Sequence, residues 1–180
     1  LKNKTKTILF VGRLTYQKNV NLLIKSFYKS CAVKKGWKLI IFGHGEELNF
    51  LKNEIQKLGI NQHVIFKGIS NKINEWYAKS SIYIICSRYE GMPNVVLEAA
   101  SAKLPIILSK GTGGALDYIV NNKSGIILKT NSSNELSKKI NKLTSNKNLR
   151  KRLGHEAFKK IEHFTDFEKI YMYWKKVIIK

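Results

Sequence analysis

Apolar runs of strand length alternate with amphipathic stretches of helix length from Thr7 to about Lys129, and this alternation constrains the fold more than any other feature. A strand that returns through a helix to another strand lies parallel to it, so the pattern reads as successive βαβ units. Strands are expected over residues 7–11, 38–42, 63–66, 81–86, 105–108 and 125–128. Helices are expected over 19–33, 46–58, 72–79, 94–103 and 115–120. From Asn131 the strands stop, and helical periodicity follows over 134–143 and 149–161. There is no repeat, linker or low-complexity tract. The expected fold class is α/β: a doubly wound parallel sheet flanked by helices, with a helical C-terminal extension, in one domain over residues 1–180.

In an open parallel sheet, ligands bind beyond the carboxyl ends of the strands, so the strand-to-helix turns are where chemistry belongs. The first turn, Gly12-Arg13-Leu14-Thr15-Tyr16-Gln17-Lys18, carries two cations ahead of a helix start. A helix N-terminus disfavours cations unless an anion lies between them, and a diphosphate would satisfy both. Two exposed surface cations are the plainer alternative. The turn after the fourth strand, Ser87 to Asn94, holds Glu90 and Gly91, then Pro93 at the expected first helical position. Amides from Met92 through Val95 would form an anion cradle there, and Glu98 shares a helix face with Asn94. One glutamate could accept from a sugar and the other from ribose. Alternatively, Glu90 is a capping acid and Glu98 an ordinary solvent-facing residue.

The chain carries 33 Lys and Arg against 12 Asp and Glu, a net charge of +21. Such a balance admits phosphorylated ligands, polyanions and an anionic membrane surface as partners, and charge alone does not choose among them. The four histidines are too dispersed to form a metal site, and the two cysteines have neither metal-ligand nor redox spacing. Cys31, placed in a helical segment, and Cys86, at a strand end, are read as buried free thiols. No run is long and apolar enough for a transmembrane helix. The polar opening at Leu1 suggests a piece of something longer.

At this point the residues carry a family resemblance. Glu90-Gly91-Met92-Pro93-Asn94-Val95-Val96-Leu97-Glu98 resembles the two-glutamate signature of the retaining GT-B glycosyltransferases of family 4. Gly12-Arg13-Leu14 with Gln17-Lys18 resembles that family's phosphate-binding turn, and Val64 to Gly68 its base-side strand and turn. The resemblance covers most of residues 7–128, in order, and it implies one Rossmann-like half of a GT-B fold, the C-terminal, donor-binding one. It further implies that Arg13, Lys18 and Glu90 act on the diphosphate and donor sugar, and that Glu98 holds the ribose. Gly12 and Gly91 to Val95 would line the site, with Ile69 and Ser70 beside the base. No cofactor and no metal are expected, because amides and cations stabilise the departing diphosphate.

Implied partners are a UDP-sugar donor, an N-terminal acceptor domain outside this chain and a lipid-linked glycan acceptor. Similarity of the Glu90 segment to bacterial O-antigen and capsule enzymes points to an N-acetylhexosamine such as GalNAc. The implied location is the cytoplasm, with peripheral attachment to the inner membrane face as a further expectation. A basic nucleic-acid-binding domain and a GT-B sugar-nucleotide epimerase are the competing readings. For the first, Tyr171, Tyr173 and Trp174 fall at near-helical spacing that suits packing better than base stacking. For the second, no constellation of carboxylates and histidine facing a sugar is evident, and specific nucleic acid is not expected as a partner.

Overall fold

A computed structural model describes residues 4–162. Six parallel strands form one sheet: β1 (Thr7–Val11), β2 (Lys38–Phe42), β3 (Val64–Gly68), β4 (Ile82–Ile85), β5 (Ile106–Leu108) and β6 (Ile126–Ile127). Their order is β3-β2-β1-β4-β5-β6, so the chain winds outward from β1 in one direction and from β4 in the other. The strands are nearly continuous in apolar residues because both faces of the sheet are covered. Helices α1 (Val20–Lys29), α2 (Leu48–Lys57), α3 (Ile73–Lys79), α4 (Asn94–Ser101), α5 (Ala115–Tyr118), α6 (Ser133–Ser145) and α7 (Lys147–Glu162) supply that cover.

Alternation along each strand divides the core in two. Ile8, Phe10, Leu39, Ile41, Ile82 and Ile84 face α1, α2 and α6. Leu9, Ile40, Phe42, Tyr83 and Ile85 face α3, α4, α5 and α7. A fully buried large aliphatic side chain contributes roughly 1.5–3 kcal/mol, so these two layers provide the main driving force and fix which strand face meets which helix.

Among the described residues, the sequence placed all six strands and all seven α-helices, with differences at their ends. The first helix runs only from Val20 to Lys29, because a short 3₁₀ turn over Tyr16–Lys18 and a left-handed Asn19 (φ 53°) precede it. It stops where Ser30 turns extended and its hydroxyl donates to the Phe27 carbonyl at 2.6 Å. Cys31 therefore lies outside the helix, and it is exposed rather than buried. Its backbone amide donates to Asn141 Oδ1 at 2.7 Å. Pro93 is the residue before α4 rather than its first, in an extended conformation that leaves Asn94 to open the helix. The aromatic segment beyond residue 163, with its nucleic-acid reading, lies outside the described residues, as does His163.

Candidate functional site

The direction of winding reverses between β1 and β4, and the crevice above that point is where a doubly wound sheet binds its ligand. Two loops meet there. The β1 turn arrives from Gly12 to Asn19 and the β4 loop from Cys86 to Pro93. Arg88 locks them together: its amide donates to the Gln17 carbonyl at 2.8 Å, its Nε to the Tyr16 carbonyl at 3.2 Å, and its Nη2 to Asn19 Oδ1 at 3.3 Å. The guanidinium also stacks on the Tyr16 ring, 4.0 Å from the centroid.

Under this clasp, the β1 turn and the β4 loop converge on Glu90. Lys18 Nζ donates to Glu90 Oε1 in an ion pair. Ser87 Oγ donates to the same oxygen at 2.6 Å. Gln17 Nε2 donates to the Tyr89 carbonyl at 2.9 Å and reaches Glu90 Oε2 at 3.4 Å. Arg13 Nη2 donates to Gln17 Oε1 at 3.4 Å, and the residue is exposed. The Glu90 and Lys18 side chains retain only 9% and 13% of their exposure, so the pair is largely desolvated and its geometry is held by neighbours. Glu90 is thus no capping acid for α4. It is a fixed acceptor whose Oε1 is committed to protein and whose Oε2 has only one long contact.

The loop is buttressed from behind by the turn after β5. Ser109 Oγ donates to the Ser87 carbonyl at 2.5 Å, and the Gly114 amide to the Gly91 carbonyl at 2.8 Å. Gly113, at φ +52°, passes so near that an added Cβ would meet Glu90 O at 2.2 Å and Gly91 O at 2.3 Å. Gly91 differs: a Cβ there would meet nothing within 4 Å. The fold does not require a glycine at Gly91, whereas close approach of a ligand would.

The remaining sequence-predicted residues take distinct places. Met92 and Asn94 are exposed, Val95 is half-buried and Pro93 buried, all on the loop and first turn of α4. Gly12 is joined to the β2 end through its amide and the Phe42 carbonyl at 3.0 Å, and Gly43 to the β3 end through its amide and the Gly68 carbonyl at 2.8 Å. These bonds set three turns side by side along one rim, with Ile69 at its far end, 86% exposed. Ser70 accepts from the Lys72 amide at 3.1 Å. Glu98 is exposed, one turn into α4, and lines a groove of about 580 Å³ between α3 and α4. Glu98 and Glu90 both act on the buried phenol of Tyr83, and after burial itself they push its pKa up.

Sequence reasoning set Gln17 in the family's turn without a role of its own and missed Ser87, Arg88 and Ser109 as members of the site. Gln17 and Ser87 stood in the right turns, but their roles depend on partners up to 73 residues away. Among the described residues, no group of three or more His, Cys, Asp or Glu could hold a metal ion. No described helix is long and apolar enough to cross a membrane.

The comparisons with known proteins agree with this fold. The family model for glycosyl transferases group 1 matches residues 1–160. The chain is 35% identical over 155 residues to the amylovoran biosynthesis glycosyltransferase AmsD of Erwinia amylovora, covering 86% of this chain and 43% of that protein. It is 28% identical over 176 residues to a Campylobacter jejuni α-1,4-N-acetyl-D-galactosaminyltransferase named for an undecaprenol-linked glycan, covering 97% of this chain and 48% of that protein. A structure of Staphylococcus aureus TarM in complex with UDP superposes with a TM-score of 0.90 at 22% identity, over 98% of this chain and 36% of TarM. The chain thus spans about half, or less, of the length of these relatives. It belongs to the group 1 glycosyltransferases and has the fold of the C-terminal domain of a GT-B enzyme.

Proposed function

We propose that this chain is the donor-binding half of a retaining glycosyltransferase that moves an N-acetylhexosamine, such as GalNAc, from a UDP-sugar to a lipid-linked glycan of a bacterial surface polysaccharide. The observation that carries the proposal is the cluster of Lys18, Gln17, Ser87 and Glu90 across the crevice where the sheet reverses. The UDP-bound TarM relative supports the nucleotide, and the name of the Campylobacter relative supports the sugar and acceptor class.

In this reading the uracil lies along the Ile69–Ser70 rim, the ribose hydroxyls donate to Glu98, and the diphosphate lies between Arg13 and Lys18. The donor sugar lies over Gly91, its hydroxyls donating to the free side of Glu90. Transfer breaks the bond between the anomeric carbon and the diphosphate oxygen and forms one from that carbon to an acceptor hydroxyl oxygen, whose proton passes to the departing diphosphate. Negative charge is left on UDP as positive charge builds on the ring. Arg13 and Lys18 stabilise the first and the Glu90 carboxylate the second, all already oriented before reaction. Lys18 also neutralises Glu90 before the donor arrives, so the carboxylate does not repel the incoming diphosphate. With these cations in place, the proposed transfer needs no metal. The acceptor surface belongs to a second, N-terminal domain outside this chain, so the chain alone transfers nothing to an acceptor.

The experiment is to incubate the full-length protein with UDP-GalNAc and an undecaprenol-linked glycan and to read the product's anomeric configuration by NMR. A product with the donor's α configuration is expected. A β-linked product overturns the retaining assignment, and no transfer from any UDP-N-acetylhexosamine overturns the sugar assignment.

A further inference from the structure

The groove between α3 and α4 contains a group that the donor reading leaves unused. Tyr77, on α3, is 2% exposed, and its hydroxyl is buried without a hydrogen-bond partner among the described residues. Buried phenols ordinarily find a partner, because the hydrogen bonds that water made to them before folding must be replaced. The neighbouring Tyr83 does so: its ring lies 5.9 Å from that of Tyr77, and its hydroxyl donates to the Val11 carbonyl at 3.4 Å. Tyr77 instead lines the groove together with Glu98. Burial first, then the Tyr83 phenol, the Glu98 charge and the approach of the Glu98 carboxylate to the hydroxyl push its pKa up, so the hydroxyl keeps its proton and can act as a donor, although no hydrogen bond to Glu98 is closed in geometry.

We propose that Tyr77 is a positioning residue for Glu98, its phenol donating to one carboxylate oxygen while ribose hydroxyls donate to the other. The inference rests on the reading of Glu98 as the ribose partner. Before the nucleotide binds, Glu98 is exposed to solvent while already lying close enough to the phenol to act on it. A ribose seated against it displaces that water, and a carboxylate in a drier site must replace the donors that water supplied. Tyr77 is a fixed, already desolvated donor within the same groove. The two lysines of the groove are engaged elsewhere: Lys4 Nζ donates to the Ala102 carbonyl at 3.3 Å, and Lys103 Nζ lies 4.4 Å from the centroid of the Phe158 ring.

The test is calorimetric titration of UDP and of 2′,3′-dideoxy-UDP into the 180-residue chain and its Tyr77→Phe and Glu98→Gln variants, with thermal melts alongside. Tyr77→Phe is expected to weaken UDP roughly five- to tenfold, as for one lost hydrogen bond. The dideoxy ligand should be bound equally by wild type and Tyr77→Phe. The melting temperature should stay the same or rise, because an unpartnered buried hydroxyl is removed. Glu98→Gln should likewise erode only the preference for UDP. If Glu98→Gln loses that preference and Tyr77→Phe does not, the positioning role is overturned and the ribose reading stands. If Glu98→Gln leaves the preference intact, the ribose reading fails and the Tyr77 inference falls with it. Equal weakening of both ligands by Tyr77→Phe, with a lowered melting temperature, shows a packing role and also overturns the proposal.

Discussion

Glu90 shows what a residue's neighbours add to its identity. The sequence marked it by its spacing to Glu98, but left open whether it caps a helix or meets a sugar. Only the convergence of Lys18, Ser87 and Gln17 decides that it is a held acceptor. That convergence was illegible because each contact with the β1 turn crosses more than 70 residues of chain. The thiols divide the same way. Cys86 is fully buried, and burial pushes its pKa up to about 12, whereas Cys31 is exposed in the turn after α1. Iodoacetamide on the folded chain is therefore expected to label Cys31 and spare Cys86, as peptide mass mapping would show. The expectation of two buried thiols failed at Cys31 because helical periodicity continued past Ser30, where the backbone turns extended.

At the scale of elements, existence and order were readable from apolar periodicity, while ends were set by caps and turns. The start of α6 is an example: Ser132 Oγ accepts from the Glu135 amide at 3.2 Å. Glu135 in turn accepts from the amides of Lys129 and Thr130 at 2.9 and 2.7 Å. The Ser-x-x-Glu pattern of a capping box is written in the sequence but was not used to place the helix, and Glu135 reaches back past Ser132 to those two amides. Desolvation raises the Glu135 pKa, yet the bonds from Lys129 and Thr130 and the charge of Lys139 outweigh it and hold the carboxyl below its usual range. A depressed native pKa stabilises above the unfolded value of about 4.3 and is lost as pH falls through the native one. Glu135→Gln should therefore narrow the gap between melting temperatures at pH 7 and pH 3. The glycine turn after β5 carries a second element-scale prediction. Gly113→Ala forces a Cβ onto the Glu90 and Gly91 carbonyls at a left-handed φ, and should destabilise the chain by more than about 1 kcal/mol. Denaturant unfolding gives the loss, and weakened UDP binding would show that the Glu90 loop moves with it.

For the whole molecule, the doubly wound architecture and the rim of turns followed from the sequence alone, because continuous apolar strands alternating with amphipathic helices have few other ways to bury both sheet faces. The net charge of +21 is not accounted for by a ligand that meets Arg13 and Lys18. If a lipid-linked acceptor brings the full-length protein to an anionic membrane, basic residues near the surface contribute about 1 kcal/mol each. Sedimentation with vesicles should then rise with anionic lipid content and fall with salt. Binding indifferent to lipid charge would assign the excess to solubility.

The central claim is a division of labour, with Glu98 holding the nucleotide and Glu90 the sugar, and calorimetry of UDP and a UDP-sugar against Glu98→Ala and Glu90→Ala variants tests it most directly. Glu98→Ala is expected to weaken both ligands by about 1.5–3 kcal/mol, the cost of a lost charged hydrogen bond. Glu90→Ala frees Lys18 for the diphosphate, so bare UDP should bind at least as well as before while the added affinity of the sugar disappears. Equal losses for both ligands in both variants would contradict the account.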